Sequence, residues 1–546
     1  MRAKIISMVT LLCSFSVRAA LPVDDFDAFM TGNMRDFDTF ITEANRDFIN
    51  FMRSPWKKYQ GEEPIQKRVI PEPVEAPVCD PESQQYKEPP RRLTIKEILD
   101  ISGKEGSQGK TVAAEQPTGT PIPQPREPVA DKTPSKPEKR KPVTTVVRDT
   151  VKAVRPQLPE TPAGIPAGQP EASAVTEPSK PASSPLYSGG AGRCKVTFGG
   201  VDYYVDGSLK NSITLHSLTE NSVADALERL YGSDTSKLLA DLRTLRKNDL
   251  KNDWALFLFI KQLSEQFAGK NESVVIRQFL LNSLGFRARI ARVSNPSGLV
   301  LMIATSVQLY GCLYIDERGT RFYDIEATQP YSFQMCSKEA PGAKSKIDMR
   351  MDDLPRVAGN IKTATHTSTR HNTRATVSVP VKLMDFYNNI PQCDYSVYAT
   401  AKVDNGVAND LLPSLRASIA GKSEKDAAGI LLDFCQNGFK YATDPEQFGY
   451  EKPFFVEELF YYPYCDCEDR SILYRYLVKN LLGLDVVLLD YPNHIATGVR
   501  FASDYPGDYV MVNGAKYLVC DPTYMGAPIG KAMPQFKNTA AKVLRF

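Results

Sequence analysis

Beyond Tyr187 the chain reads as one folding unit written twice, which limits it to a tandem of related modules. "LLADLRTLRKNDLKNDWALFLFIKQLSEQF" (Leu238 to Phe267) lines up without gaps on "LLPSLRASIAGKSEKDAAGILLDFCQNGFK" (Leu411 to Lys440). Both predict a helix, a short break and a second amphipathic helix. "IRQFLLNSLGFRARIARV" then matches "LYRYLVKNLLGLDVVLLDY" as helix, glycine stop and buried strand. "MIATSVQL" from Met302 matches "HIATGVRF" from His494. Finally, "LYIDERGTRFYDIEAT" matches "YVMVNGAKYLVCDPTY", hairpins with turns at Arg318-Gly319 and Asn513-Gly514. Four matches in the same order argue for an internal repeat. Helices followed by closely spaced strands predict an α+β fold, an antiparallel sheet packed on helices.

The residues before Tyr187 are of another kind. "MRAKIISMVTLLCSFSVRA" has a basic start, a short apolar core and a Val-x-Ala ending. It reads as a signal peptide, residues 1–19, and predicts export to a periplasmic, cell-surface or secreted location. Its apolar run falls far short of the roughly 20 residues of a membrane span. Over 20–59 an 11-residue repeat follows: "DFDAFMTGNMR", "DFDTFITEANR", "DFINFMRSPWK". Phe26, Phe37 and Phe48, then Phe29, Phe40 and Phe51, then Met30, Ile41 and Met52 share one helical face, because 11 residues make almost three turns. Such a helix packs on its own domain or on a copy of itself. Contact of 25–57 with a membrane surface fits less well, since acids rather than bases dominate the polar face. From 60 to 186 proline takes over: 24 of the 40 prolines lie between Pro55 and Pro185, and no aromatic occurs between Tyr86 and Tyr187. A stretch with so little to bury predicts a disordered tether. The borders that follow are 187–345 for the first copy, 346–375 for a connector and 376–546 for the second copy.

A net charge of +3 does not favour nucleic acid as a partner. Nine cysteines remain after signal cleavage, an odd number, so at least one has no partner within the chain.

The chemistry concentrates in "YPYCDCEDRSILYRYLV". Cys467 lies at the predicted start of a helix, where the helix dipole favours a thiolate. Glu468 and Asp469 suit a first helical turn but oppose that thiolate, so a base is needed. His494 opens a later strand and Asp521 ends the hairpin after it, placing an orienting carboxylate within reach of the imidazole. Two other arrangements fit less well. A disulfide between Cys465 and Cys467 would close a strained ring. A zinc site from Cys465, Cys467, His494 and Cys520 lacks paired C-x-x-C spacing and leaves Asp521 without a role. Gln447 and Tyr464 are candidate oxyanion donors, and the aromatic run Phe448, Tyr450, Phe454, Phe455, Phe460, Tyr461 and Tyr462 is a candidate groove lining.

"CDCEDRSILYRYL…LGLDVVLLDY…NHIATGV…YLVCDPTY", within Leu411 to Gly526, resembles the transglutaminase-like core. It resembles in particular the bacterial transglutaminase-like cysteine proteinases, in which a Cys-Glu-Asp run opens the core helix. The resemblance implies papain-like units with Cys467 as nucleophile, His494 as base and Asp521 as orienter. Two departures stand out: "YCD" replaces the usual glycine before the nucleophile, and no aromatic follows His494. In the first copy Met302 aligns with His494 and "GKNES" with the nucleophile region, while Asp324 aligns with Asp521, so that copy is degenerate. The expected activity is cysteine-dependent acyl transfer on the peptide or side-chain amides of a protein or peptide substrate. Water as acceptor makes a peptidase or amidase; an amine makes a transglutaminase. The triad requires no cofactor, and a regulatory calcium is not legible. The alternative is a non-catalytic scaffold or binding protein of the cell envelope built from the same modules.

Overall fold

Pro55 stops the N-terminal helix and turns the chain into a strand. In a computed structural model of the protein, residues 42–67, 76–79, 92–93 and 186–546 are described. The signal peptide, the first 11-residue repeat and most of the proline-rich stretch lie outside them. The helix α1 (42–52) buries Phe48, Ile49 and Met52, while Phe51 is 40% exposed beneath the Lys338 ammonium. It packs on its own domain. Arg53 pairs with Asp225 and Glu228, and the Trp56 backbone N–H donates to Glu220. The sequence placed Phe51 on the buried face; Ile49 takes that place instead. Phe48→Ala should therefore cost about 3–5 kcal/mol, and Phe51→Ala no more than about 0.5 kcal/mol, read as paired shifts of the urea midpoint.

The helical reading of 20–59 fails at its end, where β1 (Lys57–Gln60) forms, and β2 (Arg92–Leu93) follows in the chain. A hairpin, β3 (Arg193–Phe198) and β4 (Val201–Asp206), opens the first half. Its helices are α2 (Glu220–Tyr231), α3 (Ser236–Leu245), α4 (Asp253–Phe267) and α5 (Lys270–Ser283). Its strands are β5 (Ala288–Ser294), β6 (Ser297–Ala304), β7 (Leu313–Glu317), β8 (Thr320–Asp324) and β9 (Ser332–Met335). The second half opens on the hairpin β10 (Ile361–Ser368) and β11 (Thr373–Pro380). Then come α6 (Val381–Tyr387), α7 (Tyr395–Thr400), α8 (Asn405–Ile419) and α9 (Glu424–Asn437). A short strand β12 (Lys440–Tyr441), α10 (Asp444–Gln447) and β13 (Tyr464–Cys465) lead into α11 (Cys467–Leu482). The last strands are β14 (Asp485–Tyr491), β15 (His494–Arg500), β16 (Tyr509–Val512), β17 (Ala515–Cys520) and β18 (Lys542–Leu544).

The fold is α+β, with helices packed on two mainly antiparallel sheets. Their strand orders are β1-β9-β5-β6-β8-β7 and β18-β14-β15-β17-β16-β2. Without the N-terminal strands β1 and β2, the orders are the same: fifth, first, second, fourth, third. The helix before each five-strand set, α5 or α11, ends at a glycine with positive φ, 95° at Gly285 and 69° at Gly483.

Two borders move. Residues 60–67, assigned to the disordered tether, lie against the first half: Gly61 and Glu62 donate backbone N–H groups to Tyr331 and Tyr314, and Ile65 accepts from Gly311. The hairpin that straddles residue 375 belongs to the second half. Ser378 N–H donates to Asp410, Ser368 donates to Asp433, and the His366 ring pairs with the Gly438 carbonyl. That half therefore begins at Ile361, and the connector is shorter than 346–375.

Candidate active site

The start of α11 is built from buried charge. Asp466 precedes the helix in an extended conformation, and its N–H donates to the Asp469 carboxylate at 3.2 Å. Arg470, wholly buried, fixes the turn before it: its guanidinium donates to the carbonyls of Gln436 (3.1 Å) and Phe439 (3.0 Å) and reaches Cys465 Sγ at 3.5 Å. Cys467 is the first residue of the helix and has no exposed surface. The helix is tied to β15 by the Ser471 hydroxyl, which donates to the Ile495 carbonyl at 3.0 Å.

His494 opens β15 directly after the two-residue turn Pro492-Asn493, paired with Tyr491. Its Nε2 lies 2.8 Å from Asp521 Oδ2, with both side chains buried. Asp521 is held in turn by the N–H groups of Thr523 (3.0 Å) and Tyr524 (3.2 Å), which donate to its Oδ1. Gln436 clamps the same loop, donating to the carbonyls of Asp521 (2.9 Å) and Ala527 (3.1 Å). Phe536 stacks on the imidazole at 5.3 Å and 9°, and Tyr491 lies parallel at 6.5 Å. The missing aromatic after His494 is thus supplied from residue 536, too far along the chain for sequence spacing to show.

His494 and Asp521 are joined as expected. Cys467 is brought beside them but not joined. Its sulfur is in hydrogen-bond contact with the backbone of Ile495, the residue after His494. Its thiol, however, donates to Glu468 Oε2 at 3.2 Å, while His494 Nδ1 is buried without a partner. Burial pushes the Cys467 thiol well above its usual range, with the carboxylates of Glu468 and Asp466 adding to the rise. Burial and the two carboxylates thus outweigh the helix dipole, which favours a thiolate.

Around this point five carboxyl groups converge: Asp444, Glu451, Asp466, Glu468 and Asp469, all buried. In each of three sets, one ligand atom per residue lies within 4.8 Å of the others: Asp466–Cys467–Glu468, Asp444–Asp466–Asp469 and Asp444–Glu451–Glu468. Burial and mutual charge raise Asp444, Asp466 and Asp469 well above the carboxylate range and push Glu451 up to about 11. No donor reaches Asp466 Oδ1 or Glu468 Oε1. Carboxylate oxygens that face one another need shared protons or a cation between them. An all-oxygen carboxylate set suits a hard divalent cation such as calcium. From sequence, Glu468 and Asp469 read only as helix-start acids; the one local signal of a cluster is three acids in the four residues Asp466 to Asp469.

The competing arrangements do not form. Cys465 and Cys467 are both free thiols, and none of the three ligand sets includes Cys465, His494 or Cys520. Gln447 exchanges two hydrogen bonds with the Tyr464 backbone, each 3.2 Å, so its amide is committed. The aromatic run packs largely on itself: Phe454, Phe455 and Phe460 are buried, and Phe448, Phe454 and Tyr462 surround the Lys452 ammonium at 4.9–5.6 Å.

In the first half, the residue placed as His494 is, directly after the β5–β6 turn, is Ser297, paired with Ser294. Met302 lies five residues further on, opposite Arg289. The alignment of the two strands was therefore shifted, although neither residue can act as a base. Asp324 ends β8 and receives the Glu326 N–H at 2.9 Å, the same turn that Asp521 makes, but its partner is the Tyr331 hydroxyl. Lys270 begins α5 where Cys467 begins α11.

No protein-family model, curated protein or solved structure matches this chain. Among the described residues, no helix is long and apolar enough to cross a membrane.

Proposed function

We propose that the protein is a cysteine-dependent acyl-transfer enzyme of the transglutaminase-like type, acting on amide bonds of a protein or peptide outside the cytoplasm. The observation that carries this reading is the buried His494–Asp521 pair at 2.8 Å, with Nδ1 left over on the side chain next to the residue that contacts Cys467. Asp521 holds the proton on Nε2, which leaves Nδ1 as the base. Cys467 Sγ attacks the amide carbon as its proton passes to His494 Nδ1, giving a tetrahedral oxyanion. Collapse breaks the C–N bond, His494 returns the proton to the leaving amine, and an acyl thioester remains. Water or a second amine then attacks the thioester, and the thiol is restored.

The same reading takes the five-carboxylate cluster as a calcium site. When Glu468 is committed to a cation, the thiol loses its present acceptor, and His494 Nδ1 is the next one available. The degenerate first half serves as a structural or substrate-binding copy of the same unit.

The thiol's bond to Glu468 favours a second reading, a non-catalytic envelope scaffold. Alkylation of the mature protein in calcium-containing buffer, followed by peptide mapping, separates the two. The enzyme reading expects Cys467 to be modified at least tenfold faster than the other cysteines, with that advantage lost in His494→Ala. Equal rates in both proteins would support the scaffold.

A further inference from the structure

Attack on an amide carbon puts a negative charge on its oxygen, and a buried site must supply donors aimed at that charge. Cys467 contributes one. It is the first residue of α11, so its backbone N–H has no carbonyl behind it in the helix. The two side chains first expected to supply the second donor are placed otherwise. Gln447 exchanges its hydrogen bonds with the Tyr464 backbone, and Tyr464 is 39% exposed while the thiol is wholly buried. Tyr395 is placed better. It is the first residue of α7, which packs on α11. Its hydroxyl is buried and finds no hydrogen-bond partner among the described residues. The charges that act on it belong to Glu468, Glu451, Cys467 and Asp466, the groups gathered at the start of α11. Its ring is held in place: the Lys67 ammonium lies 3.8 Å from the centroid and donates to the Cys393 carbonyl at 3.2 Å. The residue before it, Asp394, receives the Tyr310 hydroxyl at 3.1 Å. The Thr523 hydroxyl is also buried without a partner, but Thr523 belongs to the loop that holds Asp521, on the Nε2 side of the imidazole.

We propose that Tyr395 is a further catalytic residue, whose hydroxyl joins the Cys467 backbone N–H in donating to the oxyanion of the tetrahedral intermediate. Cys467 Sγ forms the bond to the carbonyl carbon, its proton passes to His494 Nδ1, and the carbonyl π pair moves onto oxygen. Two hydrogen bonds receive that charge, and neither donor gives up its proton. On collapse the pair re-forms the carbonyl, the C–N bond breaks, and the amine leaves with the proton from His494. A buried hydroxyl without a partner destabilises the resting protein. An acceptor that forms only during the reaction gives this one a purpose. The assignment rests on the acyl-transfer reading and adds to it the side chain that meets the developing charge.

The test uses the full mature chain in calcium-containing buffer and two probes of Cys467, each located by peptide mapping. p-Nitrophenyl acetate acylates the thiol through a tetrahedral oxyanion and releases p-nitrophenolate. Iodoacetamide alkylates it by displacing iodide, with no oxyanion on the way. Tyr395→Phe keeps the ring beside Lys67 and removes only the hydroxyl. Its acylation rate should fall about 10²–10³-fold while its alkylation rate stays within about twofold of wild type. Its thermal midpoint should not fall, because the lost hydroxyl had no partner. Three results overturn the proposal. Where wild type is acylated faster than His494→Ala, an unchanged rate in Tyr395→Phe removes this donor and leaves the acyl-transfer reading standing. Equal falls in both rates, or a lowered midpoint, would make Tyr395 a support of the thiol and its surroundings instead. A wild type acylated no faster than His494→Ala would remove the acyl-transfer reading itself, and the donor with it.

Discussion

An Asp521→Asn protein is expected to fold normally and lose nearly all acyl-transfer activity, on the order of 10⁴-fold in turnover. The argument lies in the two oxygens of Asp521. Oδ1 already accepts the N–H groups of Thr523 and Tyr524. An asparagine at this position must keep its carbonyl oxygen there, because its NH₂ group would point hydrogen at two N–H donors. The NH₂ then faces His494 Nε2, which must become the acceptor. The ring proton moves to Nδ1, and the only nitrogen available to Cys467 can no longer take its proton. The fold changes little, because the turn and the Gln436 bond to the Asp521 carbonyl survive. The check is a set of turnover rates for wild type, Asp521→Asn and His494→Ala beside their thermal midpoints. Asp521→Asn should match His494→Ala in rate and wild type in stability. A variant that keeps more than a tenth of wild-type activity would remove Asp521 from the proposed triad.

What the sequence revealed, and what it hid, follows from the range of each interaction. The helix–strand alternation was legible because apolar spacing is local: α11 and β14 through β17 are found where the periodicity put them. The His494–Asp521 pair was legible because both residues sit at strand ends close in the chain, His494 opening β15 and Asp521 following the β16–β17 hairpin. Register was not legible. Alignment of Met302 on His494 followed the shared "IAT" letters, whereas the hairpin turns place Ser297 there. Turn position sets the register of a strand pair, and similar apolar residues along a strand do not. The carboxylate cluster was hidden for another reason. Asp444 and Glu451 reach Asp466 and Glu468 only through the loop before β13, and no local pattern marks that loop. The docking of 60–67 and 76–79 was hidden as well, because their composition is that of a tether. A few anchoring contacts, Lys67 among its tyrosines and Cys79 among aromatic rings, oppose the average character of the stretch.

The same cluster supports the second large expected effect. Calcium should raise the thermal midpoint of the mature protein by about 5–10 °C. Saturation at a hundred times the dissociation constant contributes about 2.7 kcal/mol, and a unit of this size shifts by about 2–4 °C per kcal/mol. Without the cation, pH should matter in a definite direction. Asp444, Asp466, Asp469 and Glu451 have folded-state values raised above the ordinary carboxyl range. Their favourable contribution is complete below the unfolded value of about 4 and is lost as pH rises towards the folded values. In chelator the midpoint should therefore fall as pH rises above the unfolded value of about 4 towards the raised folded values. Calcium bound at these carboxylates would reverse the sign, because it binds the ionised form. The gap between the two curves should widen with pH. Asp466→Asn combined with Glu468→Gln removes the two oxygens that lack donors and should flatten both curves and close the gap. Under the proposed function acyl transfer should follow the same switch: activity is expected to be lost in chelator, where the thiol keeps Glu468 as its acceptor, and to return with calcium. A midpoint that ignores calcium at pH 8 would mean that shared protons hold these carboxyls together, and the thiol would then need another route from Glu468 to His494.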